Sequence, residues 1–107
     1  LLEVSLTSRD RAELRKHAHH LQVTVHVGHQ GITGTLRQSL DDALRTRELV
    51  KVQFSRNADA KAKQAANDLA REMNADVVQV IGRTATLFRL NPELEQKRRA
   101  REKEEAR

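Results

Sequence analysis

The sequence VTVHVGHQGIT occupies positions 23–33 and combines a strand, a tight turn and the start of a helix. Its valines stand at alternate positions, which is the period of a strand with one buried face. Gly28 and Gly31 then bracket two polar residues, and Thr33 stands where the N-cap of a helix is expected. The helix is predicted from apolar residues that follow at helical spacing: Ile32, Leu36, Leu40, Ala43 and Leu44.

The turn between the two glycines has two interpretations. Glycines allow another backbone to approach closely because they carry no Cβ, and the free N–H groups at the start of a helix attract anions. The loop Gly28-His29-Gln30-Gly31 is therefore suited to contact with a phosphodiester backbone. The alternative is that the glycines only make the turn, and from these residues alone that alternative is favoured.

The composition favours a polyanionic partner. The 107 residues include 20 Lys and Arg against 15 Asp and Glu, which gives a formal net charge of +5. Each phosphate neutralised by a basic side chain releases counterions, so such a surface favours nucleic acid. The absence of cysteine excludes thiolate metal sites and suits a reducing compartment, and we expect a cytoplasmic protein. No apolar run is long enough for a membrane span, so no membrane partner is expected.

The aromatic content indicates how nucleic acid would be recognised. The chain has neither Trp nor Tyr, and its two aromatic residues are Phe54 and Phe88, both within apolar strand segments. Modules that stack bases need several exposed rings. Any nucleic-acid contact is therefore expected to use backbone groups and shape.

The residues before the opening stretch predict another helix. Thr7 is its candidate N-cap, with Asp10 completing a capping box. Leu14, Ala18 and Leu21 form its apolar stripe. Its other faces carry mostly basic and imidazole side chains: Arg9, Arg11, Arg15, Lys16, His17, His19 and His20.

Three more strands and another helix are predicted further along the chain. Residues 48–54 and 76–81 are nearly continuously apolar, which is typical of inner strands, and an alanine-rich helix lies between them. Gly82 and Arg83 make a two-residue turn that returns residues 84–89 as an antiparallel edge strand. The order α-β-α-β-α-β-β predicts an α/β fold with a small mixed four-stranded sheet packed by helices.

Two segments lack the apolar residues that a core requires. Residues 55–59 are predicted to form a turn. The chain is almost wholly charged from residue 93 onward, with Leu94 as its only large apolar side chain. We predict one domain over residues 1–91 and a charged tail over residues 92–107, either helical or disordered.

In their order and spacing, these segments resemble the CRM domain (chloroplast RNA splicing and ribosome maturation), most closely its stand-alone bacterial YhbY type. The resemblance covers roughly residues 6–90. The matching segments are Leu14-Arg15-Lys16-His17-Ala18-His19-His20-Leu21, Val25-His26-Val27-Gly28-His29-Gln30-Gly31-Ile32-Thr33, Glu48-Leu49-Val50-Lys51-Val52, Val78-Gln79-Val80-Ile81-Gly82-Arg83 and Leu87-Phe88-Arg89.

The resemblance implies a fold like the C-terminal domain of bacterial translation initiation factor three, with an added N-terminal helix. It also implies RNA binding through the G-x-x-G loop and nearby basic surface, with ribosomal RNA of large-subunit precursors as the partner. RNA contact is then preferred over a mere turn. The candidate RNA-binding residues are Gly28, His29, Gln30, Gly31, Thr33, Arg15, Lys16, His19, Arg37 and Arg83.

The loop departs from the family pattern at one point. Family members often carry Lys or Arg in the loop, where this chain has His29 and Gln30. A neutral imidazole donates one hydrogen bond and brings no fixed charge. The electrostatic part of binding is therefore expected to be weaker at the loop, or to lie on the first helix.

Catalytic and metal chemistry find no support in the sequence. The glycines fit neither the P-loop nor the dinucleotide-binding spacing, and no H-E-x-x-H motif accompanies the five histidines. Asp41 and Asp42 are expected on the exposed part of the second helix and suggest no catalytic pair. The sequence predicts a non-enzyme without metal, cofactor or small-molecule substrate.

Three hypotheses for function follow. The first is an RNA-binding factor of ribosome assembly. The second is a protein-interaction module of the ribosome or translation machinery, which docks through the charged tail. The third is a DNA-binding protein, which the basic charge also allows. Competition of duplex DNA against ribosomal RNA would distinguish it from the first.

Overall fold

The elements follow one another in the predicted order, with a fourth helix after the last strand. The computed structural model describes residues 6–56 and 61–105. The elements are α1 Ser8–Ala18, β1 Val23–Val27, α2 Gly34–Arg47, β2 Leu49–Phe54, α3 Ala62–Glu72, β3 Asp76–Ile81, β4 Thr84–Phe88 and α4 Pro92–Glu105. The predicted α/β fold with a small mixed four-stranded sheet is confirmed. Positions 57–59 of the predicted turn lie outside the described residues.

The position of the last two strands differs from the prediction. The strand order is β1-β2-β4-β3, with β1 parallel to β2 and β4 antiparallel to both of its neighbours. The prediction of β3 as an inner strand and β4 as the edge is therefore wrong. β3 is apolar because helices α3 and α1 both pack against it. The apolar composition of β3 arises because helices cover it, and not because it lies in the middle of the sheet.

The main core lies between one face of the sheet and helices α2 and α3. The alternation in β1 has the predicted result, since Val25 and Val27 are buried and Thr24 and His26 are exposed. Small alanine side chains allow α3 to lie close to the strands. The buried residues of this core are Val25, Val27, Leu40, Leu44, Val50, Val52, Phe54, Ala65, Ala66, Leu69, Ala70, Ala85 and Leu87.

Helix α1 packs on β2 and β3 from the opposite face, and none of its apolar residues joins the main core. The predicted capping box is present. The Thr7 hydroxyl accepts from the N–H of Asp10, and the Asp10 carboxylate accepts from the N–H of Thr7, both at 3.1 Å. The helix ends at Ala18, so Leu21 and His19 lie beyond it and the predicted apolar stripe is too long.

Arg11, one of the basic residues predicted outside the apolar stripe of the first helix, contacts the sheet. Its Nη1 donates to the carbonyl oxygen of Val77 at 2.6 Å. Val77 lies where the register of the β3–β4 pair shifts. The guanidinium therefore pairs with a carbonyl of an edge strand, which is one way to protect a sheet edge.

A polar cluster fixes the start of α4 at the end of the sheet opposite the glycine loop. Glu48 directly precedes β2, is buried and has a φ of 65°. Its carboxylate accepts from the N–H of Asn91 at 2.8 Å and from Nη2 of Arg98 at 3.2 Å. Asn91 in turn accepts from the N–H of Glu93 at 3.0 Å and so caps the helix. The described part of the predicted tail is thus helical, while the division into a domain and a tail stays a prediction.

Asp41 lies at the same end of the molecule, and its side chain, 41% exposed, is paired with Arg89. Nη1 of Arg89 donates to Oδ1 of Asp41 at 2.8 Å and to the carbonyl of Met73 at 3.1 Å. Nη2 of Arg89 donates to the carbonyl of Asp41 at 3.1 Å. One guanidinium therefore joins α2, the end of α3 and the end of β4.

Candidate nucleic-acid interface

The loop between β1 and α2 is a closed turn followed by a capped helix. The N–H of Gly31 donates to the carbonyl of Gly28 at 3.0 Å, and Gly31 has a φ of 74°. Thr33 is the predicted N-cap, and its hydroxyl accepts from the N–H of Leu36 at 3.1 Å. His29 and Gln30, at the tip of the turn, are exposed.

The two loop glycines are glycine for different reasons. A Cβ at Gly31 would meet no atom of the described residues within 4 Å, but its left-handed φ disfavours any L side chain. Gly28 has no such φ, and within residues 6–56 and 61–105 a Cβ there would also meet nothing within 4 Å. The turn therefore favours glycine at position 31, whereas the described part of the chain gives no steric reason for glycine at position 28. An external backbone that approaches position 28 closely would supply one.

A groove on one side of the loop is lined by hydroxyl and imidazole groups, and we name it the hydroxyl groove. It runs between β1 and the first half of α2 and has a volume of about 430 Å³. None of the described residues that line it is acidic. They are Thr24, Val25, His26, Gly28, His29, Gln30, Gly31, Thr33, Thr35, Leu36 and Ser39.

A second groove lies on the other side of Gly28, and we name it the arginine groove. Its volume is about 670 Å³, and it is formed by the ends of β1 and β2 and by the β3–β4 turn. The described residues that line it again include no acid: His26, Val27, Gly28, Gln53, Phe54, Ser55, Arg56, Gly82, Arg83 and Thr84. His26 and Gly28 line both grooves, so the loop forms the boundary between them.

Two backbone hydrogen bonds hold the walls of the arginine groove together. The N–H of Ser55 donates to the carbonyl of Val27 at 2.9 Å, and the N–H of Phe54 donates to the carbonyl of Arg83 at 2.8 Å. The exposed side chains of Arg56 and Arg83 thus start from fixed backbone. Neither forms a salt bridge with any residue in the described ranges.

The structure brings together six of the ten candidate RNA-binding residues. Five of them line the hydroxyl groove and two line the arginine groove, because Gly28 lines both; in chain order they are Gly28, His29, Gln30, Gly31, Thr33 and Arg83. Arg37 lines neither groove and pairs with Glu72 at 2.8 Å, each side chain being 45% exposed. The hydrogen bond to the Glu72 carboxylate and its negative charge raise the pKa of Arg37.

The candidates on and after α1 lie apart from this group. Arg15, Lys16 and His19 line neither groove. Lys16 forms an exposed salt bridge with Glu13 at 3.5 Å. His19 precedes β1, whereas the glycine loop follows that strand, so the two lie toward opposite ends of β1.

Arg56 is the charged residue of the site that the sequence interpretation missed. It follows β2 by two residues. Because β1 and β2 are parallel, their carboxyl ends lie at the same edge of the sheet, so residues after β2 lie near the loop after β1. That topological rule was the signal that could have found it. The neutral groups Thr24, Thr35, Ser39 and Gln53 carry no such signal.

The site offers contact chemistry and no recognisable catalytic constellation. In the part of the chain that the structure describes, no group of three His, Asp or Glu side chains lies placed to hold a metal ion. Likewise, no helix within residues 6–56 and 61–105 is long and apolar enough to cross a membrane. The groups that line the grooves are donors suited to an anionic, hydroxyl-rich ligand.

The family model of the CRS1/YhbY (CRM) domain matches residues 6–89. The chain belongs to this family. The match extends from the capping region of α1 through β4, so this CRM domain contains both grooves, and α4 follows the matched region. The resemblance stated from the sequence is thereby confirmed.

Individual relatives agree with this assignment. The CRM domain is 32% identical over 91 residues to "Probable RNA-binding protein YqeI" of Bacillus subtilis, covering 85% of this chain and 95% of the relative. It is 34% identical over 90 residues to "RNA-binding protein" of Haemophilus influenzae, covering 83% and 90%. The solution structure of SAV1595 from Staphylococcus aureus superposes with a TM-score of 0.70 at 31% identity, covering 81% of this chain and 91% of that one.

Proposed function

We propose that this CRM domain binds RNA, with the loop over residues 28–31 against the sugar–phosphate backbone. The observation that carries the proposal is the geometry of Gly28. Its missing side chain is not required by the turn, and it lies exposed between two grooves whose described linings contain no acid. The names of the relatives from Bacillus subtilis and Haemophilus influenzae, which describe RNA-binding proteins, support the same function.

The candidate residues that line the two grooves each have a role in this proposal. Gly28 allows close approach, Gly31 closes the turn, and Thr33 caps α2 and so fixes the start of that helix next to the loop. His29 and Gln30 supply donors at the exposed tip. Arg83 supplies fixed charge.

The binding mode is contact with the backbone and shape of a folded RNA. Among the described residues that line the grooves, Phe54 is the only Phe, Tyr or Trp, and it is 3% exposed, so no exposed Phe, Tyr or Trp ring is offered for base stacking. Arg15, Lys16 and His19 lie on another face, and a ligand that reaches them as well as the loop must be large and structured. Ribosomal RNA of large-subunit precursors, implied by the family resemblance, is such a ligand. The protein acts by binding and not as an enzyme.

The test compares three ligands of matched charge by fluorescence anisotropy: a folded fragment of large-subunit ribosomal RNA, an unstructured RNA oligonucleotide and duplex DNA. We expect the folded RNA to bind most tightly and its affinity to fall steeply with salt. Equal affinity for all three ligands would contradict the proposal. Crosslinking in cells followed by RNA sequencing identifies the RNA.

A second candidate function is docking to a protein of the ribosome through α4. It is favoured by the exposure of that helix, which is anchored at its base and has no buried residue. Deletion of residues 93–107 separates the two functions. Loss of ribosome association with unchanged affinity for naked RNA would favour protein docking, whereas unchanged association would exclude α4 as the docking segment.

A further inference from the structure

We infer that the arginine groove is a second phosphate-binding subsite, in which Arg56 and Arg83 hold the phosphate next to the one at Gly28. This inference rests on the proposed function and adds the path of the RNA strand, from the hydroxyl groove over Gly28 into the arginine groove. It also adds Arg56, a residue that the family resemblance does not include among the contacts.

The guanidinium groups of Arg56 and Arg83 differ from those of several other arginines in having no acidic partner among the described residues. Several arginines of this chain are engaged by acids: Arg37 with Glu72, Arg45 with Asp42, Arg89 with Asp41 and Arg98 with Glu48. Within the described residues, Arg56 and Arg83 have no acidic partner, and no acid lines their groove. Their charge is therefore available to an external anion.

Arg56 and Arg83 lie at the same end of the sheet. Arg56 and Arg83 belong to different elements, and backbone hydrogen bonds from Ser55 to Val27 and from Phe54 to Arg83 bring those elements together. The β3–β4 turn that carries Arg83 has only two residues, with Gly82 at a φ of 60°. Groups held on rigid backbone lose little conformational freedom when they bind. The two side chains thus extend from backbone segments that are joined by hydrogen bonds at one end of the sheet.

The arginine groove is continuous with the hydroxyl groove at the glycine loop. Gly28 and His26 line both grooves, so a chain that crosses Gly28 enters the arginine groove. A strand of nucleic acid carries phosphates at regular intervals and can occupy both grooves at once. A compact anion such as free phosphate would fill only one of them. The occupant that fits this geometry is therefore a phosphodiester strand.

The experiment measures the affinity of the full chain for the folded ribosomal RNA fragment as a function of salt. The variants are Arg56→Gln, Arg83→Gln and their combination, and the control is Arg45→Gln, an exposed arginine away from both grooves. We expect each groove variant to weaken binding by about three- to tenfold. We also expect each to reduce the slope of log K against log[salt] by about 0.7 to 0.9, with the two reductions adding in the double variant.

Gly28→Ala separates a failure of this inference from a failure of the proposed function. If the arginine variants match Arg45→Gln in affinity and slope while Gly28→Ala weakens binding, the RNA does not enter the arginine groove and the inference is wrong. If neither Gly28→Ala nor the arginine variants differ from wild type, the proposed interface is also wrong. Urea midpoints equal to wild type show that the exposed Arg56 and Arg83 act on binding and not on folding.

Discussion

Nε of Arg37 donates to Oε2 of Glu72 at 2.8 Å, so one of the basic residues predicted to contact RNA is already engaged by an acid of the neighbouring helix. The pair joins α2 to α3 on the surface. The carboxylate offsets the guanidinium charge that a phosphate would otherwise meet. Arg37 is therefore expected to contribute less to RNA binding than Arg56 and Arg83, which form no salt bridge with the residues that the structure describes.

Glu72→Gln tests how far this ion pair limits RNA binding. The change removes the competing charge and frees Arg37, so we expect the affinity for folded ribosomal RNA to rise about two- to threefold at low salt and less at high salt. Arg37→Gln is expected to lower it by less than about twofold. The control is Asp68→Asn, which removes an exposed acid of the same helix whose partner, Arg71, is not among the predicted RNA contacts. An equal rise in both variants would assign the effect to net charge.

Arg89 is expected to be the most costly surface-accessible arginine to replace. Its side chain is 23% exposed, and its guanidinium donates to Asp41 and to the Met73 carbonyl. Arg89→Met keeps the bulk and leaves those acceptors without their donor, so we expect the free energy of unfolding to fall by about 2–3 kcal/mol. Arg45→Met, which breaks the exposed pair with Asp42, is expected to cost less than about 0.5 kcal/mol. Urea unfolding measures both, and equal losses would contradict this account.

Local signals predicted the elements of the fold well. The caps at Thr7 and Thr33 and the alternation of β1 depend on residues within four positions of one another, and all have the expected geometry. What the sequence missed depends on distant pairing. The place of β4 between β2 and β3 follows from contacts across the sheet, and the Arg37–Glu72 pair joins residues 35 positions apart.

In the candidate site, too, local sequence predicted some residues, whereas others depend on contacts between distant parts of the chain. The loop and its capping threonine were predicted from a continuous segment and lie together. Arg56 joins the loop only because β1 and β2 are parallel, and Arg15 is separated from it because α1 covers the other face of the sheet. Net charge identified basic residues, but it could not show which of them are neutralised by acids.

The capping box of α1 stabilises the protein at neutral pH, and part of this stabilisation is lost at acidic pH. Hydrogen bonding to the Thr7 N–H lowers the pKa of Asp10 from its usual 3.8. A carboxyl group with a depressed folded-state pKa stabilises the protein above its unfolded-state pKa, and this contribution is lost as the pH falls through the folded-state value. We therefore expect the deficit of Asp10→Ala in urea unfolding to be constant at neutral pH and to shrink below about pH 3.8.

Thr7→Ala is the control for that pH dependence. The Thr7 hydroxyl accepts from the N–H of Asp10, a contact that does not titrate, and it contributes less than the Thr7 N–H to the lowered pKa of Asp10. Its loss is expected to cost about 1 kcal/mol, and this deficit should decline less at pH 3 than that of Asp10→Ala. Deficits that decline in parallel would show that the whole helix unravels in acid.

The loop glycines should respond differently to the same substitution in unfolding experiments. Gly31→Ala places a methyl group on a residue with a φ of 74°, so we expect a loss of about 1–2 kcal/mol. Gly28→Ala introduces no left-handed strain and no steric contact with the described residues, and it reduces the freedom of the unfolded chain, so its stability should be unchanged or higher by about 0.4–1 kcal/mol. A large loss at Gly28 would show that the turn itself requires that glycine.

Gly28→Ala is also the most direct test of the RNA contact. If a sugar–phosphate backbone lies against this residue, one methyl group prevents close approach, and we expect the affinity for folded ribosomal RNA to fall about tenfold while the fold stays intact. Gly34→Ala is the matched control, because Gly34 is exposed, begins α2, has open space for a Cβ and lines neither groove. Its affinity should equal that of wild type. If fluorescence anisotropy gives the same affinity for both variants, the glycine at position 28 serves no contact with RNA.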